Sequence, residues 1–271
     1  QIRGVFRLTD SHWRGETSVV DQEHDLTSFL TAQAKNWLKQ RDSQRPFFLK
    51  LAFVQPHVPL IDDPRWAEFY ADATISLPDL TPPEAVNDTW ASYLEQLNSH
   101  SQVHVMDDDF VRNGIRHYLG MVSLVDQKIG DLLDTLKSLR QLDNTWVIYT
   151  SDHGEMLGEH RLWAKMNFYR GSVQVPLIIV PPGGMQPRVD PSLVELTDIT
   201  ATLAAIGGAS APAGCRGQSL LPALTEPQAG RELLHARLGN YAAIRSSTHR
   251  LTMHLKSGTA CELFDLKNDP T

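Results

Sequence analysis

The fold of this chain is decided by the stretch Thr150-Ser151-Asp152-His153-Gly154-Glu155-Met156-Leu157-Gly158-Glu159-His160. It directly follows Trp146-Val147-Ile148-Tyr149, an apolar run that predicts a buried parallel strand. Ligands of open α/β sheets bind outside the carboxyl ends of the strands, which is where Asp152 and His153 would lie. A carboxylate beside an imidazole is a donor pair suited to a divalent metal ion. The alternative is an ordinary polar turn in which Asp152 caps the next segment.

Further residues around this stretch fit a metal site. Gly154 would let the backbone turn away without a side chain that crowds the ion. Lys165 follows soon afterwards and could place an ammonium against an anionic group bound to the metal. Two interpretations of Glu155, Glu159 and His160 stay open, because they could support the ligands from behind or simply solvate the loop.

Length and composition set broad limits. The chain of 271 residues can form one large α/β domain or two smaller ones. Its formal net charge of −7 does not favour nucleic acid, and no apolar run reaches the roughly 18 residues of a membrane span. Cys215 and Cys261 are too few for a disulfide framework or a zinc site and are predicted to be ordinary thiols.

Hydrophobic periodicity predicts alternating helices and strands, and therefore an α/β fold. The predicted helices cover residues 26–40, 109–139 and 196–206, and the predicted strands cover 47–54, 146–150 and 175–180. Residues 71–108 are rich in Pro, Asp, Asn and Ser and predict a long surface excursion. Short strands at 233–235, 242–245 and 250–255 predict an antiparallel C-terminal sheet, so we expect domains at 1–230 and 231–271.

Five segments in order resemble a known family. The strongest spans 150–180 and contains the Ser-Asp-His-Gly run, Trp163-Ala164-Lys165-Met166 and Val175-Pro176-Leu177-Ile178-Ile179. The other four cover residues 47–59, with a terminal Pro-His-x-Pro, and residues 118–126, 196–203 and 263–270. Together they resemble the sulfatase family of the alkaline-phosphatase-like superfamily, and most of all its choline-sulfatase and phosphonate monoester hydrolase branch.

The resemblance implies a fold and a set of roles. It implies an alkaline-phosphatase-like mixed sheet flanked by helices, followed by a smaller C-terminal antiparallel sub-domain. Asp152 and His153 match two metal ligands, and the metal would be one divalent ion, Ca²⁺ first, with Mn²⁺ or Mg²⁺ as alternatives. Lys165 matches a lysine that contacts the sulfate or phosphate group, and His57 matches a histidine that contacts the leaving oxygen as a general acid. The substrate would be a small anionic ester, whose developing charge a metal, an ammonium and an imidazole can neutralise.

Two expected parts of such an enzyme are absent from the sequence. The family's nucleophile is a formylglycine made in a Cys/Ser-x-Pro-x-Arg motif, and no such motif occurs here. The acidic pair that would complete the metal site is also absent, because Asp62-Asp63 follows His57 and is predicted to be a surface turn, while Asp107-Asp108-Asp109 is predicted to cap a helix. We therefore expect the chain to be the later part of a longer protein, a partial domain that is inactive alone.

Three functions stay open on this evidence. The first is a sulfuric-ester hydrolase whose formylglycine lies outside the chain. The second is a phosphonate or phosphate ester hydrolase of the same superfamily, and the third is a catalytically inactive truncated homologue. Trp90 and Tyr93 are candidate walls of a substrate pocket, although such aromatic residues often pack locally. Targeting information would lie outside this chain, so the compartment and oligomeric state stay open, with bacterial cytoplasm or periplasm expected.

Overall fold

The structure is a computed structural model that describes residues 10–82, 87–101, 103, 106–225 and 230–268. Its helices are α1 Asp10–Arg14, α2 Leu26–Gln40, α3 Pro64–Tyr70, α4 Asp88–Ser101, α5 Asp108–Ser138, α6 Arg170–Val173, α7 Leu196–Ile206 and α8 Leu221–Thr225. Its strands are β1 Glu16–Thr17, β2 Ile61–Asp62, β3 Val147–Thr150, β4 Leu177–Val180, β5 Leu234–Leu238, β6 Tyr241–Arg245, β7 His249–His254 and β8 Thr259–Asp265. No described helix is both long and apolar enough to cross a membrane.

The predicted helices α2, α5 and α7 are confirmed, because each carries its own local signals. Asp25 caps α2 by accepting from the backbone N–H of Thr27, and Asp107 caps α5 by accepting from Phe110 at 2.8 Å. The acidic run at 107–109 is thus a helix cap, as predicted. Helix α7 begins with a capping box made by Glu195 and Asp198, which satisfies two backbone donors of its first turn.

Strand β3 differs from its prediction as a buried parallel strand. It pairs antiparallel with β4, with Val147 opposite Val180 and Thr150 opposite Leu177, and Tyr149 is 36% exposed. The chain between the two strands folds back on itself, so it returns beside β3 in the opposite direction. Strands β1 and β2 form a short parallel pair elsewhere.

The strand predicted at 47–54 does not form a ladder with any described strand. The segment is nevertheless extended along one face, because half-buried and exposed residues alternate from Phe47 to Val54. Phe48 is 70% exposed and Val54 is 59% exposed. The residue types of this segment favour an extended backbone, as predicted. A β-strand also needs a neighbouring strand to hydrogen bond with, and the composition of the segment does not indicate whether one is present.

The excursion predicted at 71–108 contains α4, which the polar composition of the region concealed. Trp90, Tyr93, Leu94 and Leu97 recur at helical spacing and form the buried side of α4. Trp90 is fully buried and packs in a core cluster with Met156, Leu162, Tyr169 and Cys261. This cluster, here called the second core, joins α4 to the site loop and to the C-terminal sheet.

Asp62 and Asp63 are buried, so their prediction as a surface turn is wrong. The Asp62 carboxylate lies 2.8 Å from Nδ1 of His117 on α5, and Asp63 accepts from the backbone N–H of Arg65 at the start of α3. The contact with His117, on a helix distant in sequence, offsets the free-energy cost of burying the Asp62 carboxylate. The residues around Asp62 in the sequence give no sign of that partner.

The C-terminal sheet is a four-stranded antiparallel meander in the order β5-β6-β7-β8, which confirms the predicted antiparallel arrangement. Strand β8 was not predicted. The domain boundary at residue 230 stays a prediction. The first core, which packs α5 against the segments around Val58 and Trp163, lies on the other side of the site loop.

The two ends of the site loop, residues 151–176, meet at a close backbone crossing. The N–H of Gly154 donates to the Ser172 carbonyl at 2.7 Å, and a Cβ placed on Gly154 would lie 2.0 Å from the Gly171 carbonyl oxygen. The glycine is therefore required by this close approach of two backbone segments. The sequence-based reason, that the glycine leaves room for a metal, is not the one that the structure gives.

Truncation of Trp90 to alanine should show how strongly α4 is docked. We expect Trp90→Ala to lower the free energy of unfolding by about 3–5 kcal/mol, since it removes a fully buried indole from the second core. Trp37→Ala is the matched control, because Trp37 on α2 is 43% exposed, and it should cost less than half as much. Urea unfolding followed by circular dichroism measures both, and equal losses would contradict the burial of α4.

Candidate active site

The structure brings His57 together with His153 and Lys165, which both lie in the site loop. The Nζ atom of Lys165 hydrogen bonds to Nε2 of His57, and the imidazole rings of His57 and His153 lie 6.0 Å apart between centroids. Asp152 lies beside them, with its Oδ2 atom 3.8 Å from Nε2 of His153. The four residues singled out in the sequence thus share one surface site, although their roles there stay predictions.

His153 is oriented by its immediate backbone. Its Nδ1 lies 2.8 Å from the Gly154 carbonyl oxygen, and because a carbonyl only accepts, Nδ1 carries the hydrogen. The Nε2 atom then has a free lone pair, which is the form that binds a metal ion. The hydroxyl of Ser151 donates to the His153 carbonyl at 2.8 Å and fixes the turn.

The same logic fixes the tautomer of His57. Its Nδ1 lies 2.7 Å from the Val58 carbonyl oxygen and donates to it, so Nε2 is the acceptor of the Lys165 ammonium. Val58 is buried in the first core, which anchors the backbone directly after the exposed imidazole. His57 therefore presents Nε2 to the site from a rigid base.

Lys165 lies on a strained backbone that is held from two sides. Ala164 and Met166 have positive φ angles of 67° and 86°, a conformation that costs a non-glycine residue about 1 kcal/mol or more. The Met156 N–H donates to the Ala164 carbonyl at 3.0 Å, and the Tyr93 hydroxyl donates to the Met166 carbonyl. These contacts to the flanking carbonyls direct the lysine side chain towards His57.

Glu155 lies behind the site, close to Lys165 and Tyr118. Burial raises the pKa of Glu155 to about 7, although backbone N–H groups and the charge of Lys165 oppose that rise. Burial, followed by the nearby charge of Glu155, raises the pKa of Tyr118 to about 12. Glu155 is therefore part of the support beneath Lys165 and does not simply solvate the loop.

His160 and Glu159 also face inwards. His160 is 8% exposed, and its ring lies 4.9 Å from that of Tyr169. Glu159 is half-buried and approaches Gly171, at the backbone crossing. This burial does not match simple solvation of the loop, and support of the predicted ligands by these residues stays a prediction.

Asp152 and His153 suit a metal ion in type but not in number. Ligands at about 2.0–2.6 Å from one ion can lie as far apart as the 3.8 Å between Oδ2 and Nε2. Asp152 is 86% exposed at its side chain, so its oxygens are accessible. Within the described ranges, no group of three or more His, Cys, Asp or Glu side chains could hold a metal. Further donors would have to come from outside this part of the chain.

Neither cysteine belongs to the site, in agreement with the prediction that both are ordinary thiols. Cys261 is fully buried in the second core, and Cys215 lies near the Thr197 carbonyl oxygen at the start of α7. Both are free thiols. Among the described residues, therefore, no cysteine accompanies His57 and Lys165.

Known proteins with similar structures share this fold. The phosphonate monoester hydrolase of Agrobacterium radiobacter matches with a TM-score of 0.78 and 23% identity, and the match covers 94% of this chain and 58% of that one. At this level of identity the likeness shows the fold alone. It confirms the predicted alkaline-phosphatase-like α/β class.

Two curated relatives match nearly the whole chain. The choline-sulfatase of Rhizobium meliloti is 33% identical over 266 residues, which cover 91% of this chain and 50% of the relative. The arylsulfatase of Clostridium perfringens is 28% identical over 259 residues, which cover 90% of this chain and 52% of the relative. The chain thus spans about half the length of these relatives.

Two family models match, and between them they cover residues 7–271. The model described as N-sulphoglucosamine sulphohydrolase, C-terminal, matches residues 158–271, which include Lys165 and the C-terminal sheet. The sulfatase model matches residues 7–209, a span that contains His57, Asp152, His153 and Lys165. Because that match covers most of the sequence, the chain belongs to the sulfatase family.

Proposed function

We propose that the protein to which this chain belongs hydrolyses sulfate esters and that this chain supplies the later half of its active site. The observation that carries the proposal is the hydrogen bond between Lys165 and His57 beside the Asp152-His153 pair, within a sulfatase-family chain. The nucleophile, a formylglycine in this proposal, comes from residues outside the chain. The substrate is a small anionic ester.

Lys165 binds the substrate and neutralises negative charge on its sulfate group. Sulfate esters carry negative charge on their non-bridging oxygens, and an ammonium held on a rigid backbone stabilises that charge without reorganisation. Burial raises the pKa of Glu155, which lies close to Lys165, to about 7.

His57 handles the proton of the leaving group. Cleavage of the S–O bond leaves negative charge on the leaving oxygen, which must gain a proton when that oxygen is strongly basic. The Nε2 atom of a protonated His57 holds this proton, while Nδ1 keeps its hydrogen bond to the Val58 carbonyl. The proton passes to the leaving oxygen, and His57 returns to the neutral tautomer described above.

Asp152 and His153 hold a divalent ion, which we propose is Ca²⁺, with Mn²⁺ or Mg²⁺ as the alternatives. When bound, such an ion supplies positive charge to the transferred group. The exposed carboxylate of Asp152 is a hard oxygen ligand of the kind that all three ions accept. Elemental analysis of the purified complete protein would identify the ion.

A phosphonate or phosphate ester hydrolase is the second candidate. It is favoured by the chemistry of the site, where Lys165 and His57 lie beside the Asp152-His153 pair. Lysine, histidine and a divalent ion serve tetrahedral phosphoryl and sulfuryl groups alike. The choice therefore depends on relative rates.

The test compares the complete protein with the 271-residue chain. We expect the complete protein to hydrolyse 4-nitrophenyl sulfate with a higher kcat/KM than a 4-nitrophenyl phosphonate monoester, and the chain alone to hydrolyse neither. A reversed preference would favour the phosphonate hydrolase. If the complete, metal-loaded protein hydrolyses neither compound and no alkyl sulfate, an inactive homologue is favoured. Turnover by the chain alone would refute the proposal that it supplies only the later half of the active site.

Replacement of Lys165 should remove binding of the charged group. In the complete protein, Lys165→Met should lower kcat/KM for 4-nitrophenyl sulfate by about 10²-fold or more, the effect of losing one preorganised charge-stabilising donor. Lys39→Met is the matched control, since Lys39 is an exposed lysine on α2, and it should leave the rate unchanged. Similar rates for the two variants would remove Lys165 from the site.

Replacement of His57 should depend on the leaving group. We expect His57→Ala to slow an alkyl sulfate by about 10²–10⁴-fold, since an alkoxide needs a proton. The loss for 4-nitrophenyl sulfate should be far smaller, because nitrophenolate leaves without one. His235→Ala on exposed β5 serves as the control. Equal losses for both substrates would show that His57 is not the general acid.

A further inference from the structure

Two charged residues of the C-terminal sheet are buried against the site loop. Arg250 on β7 is 5% exposed, and Glu262 on β8 is 7% exposed. A guanidinium nitrogen of Arg250 donates to the Phe168 carbonyl at 2.7 Å, and a carboxylate oxygen of Glu262 accepts from the Tyr169 hydroxyl. The sheet therefore binds two consecutive residues of the loop.

The surroundings of Arg250 and Glu262 compensate for their burial. The Arg250 guanidinium lies 4.2 Å from the ring centroid of Phe264 and 5.2 Å from that of Tyr169. Burial lowers the pKa of Arg250, and the nearby charge of Glu262 opposes that shift. Burial also raises the pKa of the Tyr169 hydroxyl, which therefore keeps its proton and stays a donor to Glu262.

Tyr169 continues this contact into the backbone of the loop. It directly precedes α6, and its carbonyl accepts from the N–H groups of Ser172 at 3.0 Å and Val173 at 3.1 Å. The Ser172 carbonyl accepts from the Gly154 N–H at 2.7 Å, which is the close backbone crossing of the loop. The Gly154 carbonyl accepts from Nδ1 of His153 at 2.8 Å. Hydrogen bonds linked through single residues thus lead from the sheet to the His153 imidazole.

The last of these bonds decides which nitrogen of His153 is free. While Nδ1 donates to the Gly154 carbonyl, Nε2 keeps the lone pair that a metal ion binds. Without that bond, a neutral imidazole can carry its hydrogen on either nitrogen, and the form with hydrogen on Nε2 cannot bind a metal there. The position of Gly154, and through it the form of His153, depends on the backbone crossing.

We propose that Arg250 and Glu262 are positioning residues for His153. By holding Phe168 and Tyr169 they fix α6 and the backbone crossing, and the crossing fixes the carbonyl that selects the Nδ1–H form of the imidazole. The proposal rests on the proposed function for the identity of His153 as a metal ligand. It gives the C-terminal sheet a part in preparing the metal site.

The tautomer of His153 tests the proposal in the 271-residue chain. Nitrogen NMR of the chain labelled in its histidines, at about pH 8.5 where an ordinary histidine is neutral, shows which ring nitrogen carries the hydrogen. His153→Gln and His57→Gln identify the two signals. We expect the Nδ1–H form for both histidines in the wild-type chain.

Replacement of Arg250 should change one histidine and not the other. Arg250→Met removes the guanidinium, so His153 should lose its single Nδ1–H form and become a mixture of both tautomers. His57 should stay unchanged, because the Val58 carbonyl that holds it lies in the first core. Arg237→Met is the matched control, since Arg237 is an exposed arginine on β5 of the same sheet, and it should change neither histidine.

Two replacements of Glu262 provide an independent pair of variants. Glu262→Gln keeps an oxygen that can accept from the Tyr169 hydroxyl, and it should retain the wild-type tautomer of His153. Glu262→Ala removes the acceptor and should shift His153 in the same direction as Arg250→Met. This rescue by the conservative variant would not be expected if the residue only filled space.

Metal affinity provides a second measurement. In the complete protein stripped of its metal, Arg250→Met should weaken the binding of Mn²⁺, measured by calorimetry, by about 10–100-fold, the usual cost of losing a group that orients a metal ligand. Arg237→Met should bind Mn²⁺ as the wild type does.

The inference is overturned if His153 of the wild-type chain does not have the Nδ1–H form, or if Arg250→Met and Glu262→Ala leave that form unchanged. It is also overturned if His57 changes together with His153, since this result would show a general loss of structure.

The two proposals fail separately. A tautomer change in Arg250→Met, in a protein whose complete form hydrolyses no sulfate ester, would retain the positioning of His153 and reject the hydrolase. Sulfatase activity of the complete protein, with the tautomer unchanged in Arg250→Met and Glu262→Ala, would retain the hydrolase and reject the positioning.

Discussion

The geometry of the site depends on the close contact between the backbones of Gly154 and Gly171. The chain leaves β3, forms the loop that carries Lys165, and returns to β4. At the crossing, the outgoing and returning segments touch backbone to backbone, with no side chain between them. Asp152 and His153 lie just before the crossing, and Lys165 lies within the loop that it closes. The crossing therefore helps to hold the predicted metal ligands and the predicted sulfate ligand in one site, together with the contacts that position Lys165 within the loop.

The loop closed by this crossing has little core of its own and uses the cores on either side. Trp163 packs in the first core with α5, whereas Met156, Leu162 and Tyr169 pack in the second core with α4 and the C-terminal sheet. Between these anchors, Ala164 and Met166 adopt unfavourable backbone angles. The packing on both sides stabilises the loop enough to offset that strain. The resulting backbone conformation directs Lys165 towards His57.

Sequence predicted the elements whose signals are local. Helices α2 and α5 were found because their caps and apolar periodicity lie within their own residues. The segment 47–54 was assigned as a strand although its ladder depends on neighbours that composition cannot reveal. Helix α4 was missed because prolines and polar residues surround it, yet the spacing of Trp90, Leu94 and Leu97 would have revealed it.

The residues of the site could be predicted from motifs that resemble family segments, but not from periodicity and residue chemistry alone. His57 and Lys165 are separated by 108 positions, and nothing local in either segment indicates that the two side chains meet. Their resemblance to family segments placed them in one site. The support by Glu155 and the hold of Tyr93 on the Met166 carbonyl could not be foreseen, because both depend on which residues the loop meets after it folds.

The C-terminal sheet is not a separable appendage of this fold. Arg250 on β7 donates to the Phe168 carbonyl at 2.7 Å, and Glu262 on β8 accepts from the buried Tyr169 hydroxyl. Local opening of this sheet would leave both groups of the site loop without partners in a dry interior. Heat or a protease that releases the last strands would therefore also disorder the loop that carries Lys165. The candidate active site would be lost together with the C-terminal sheet.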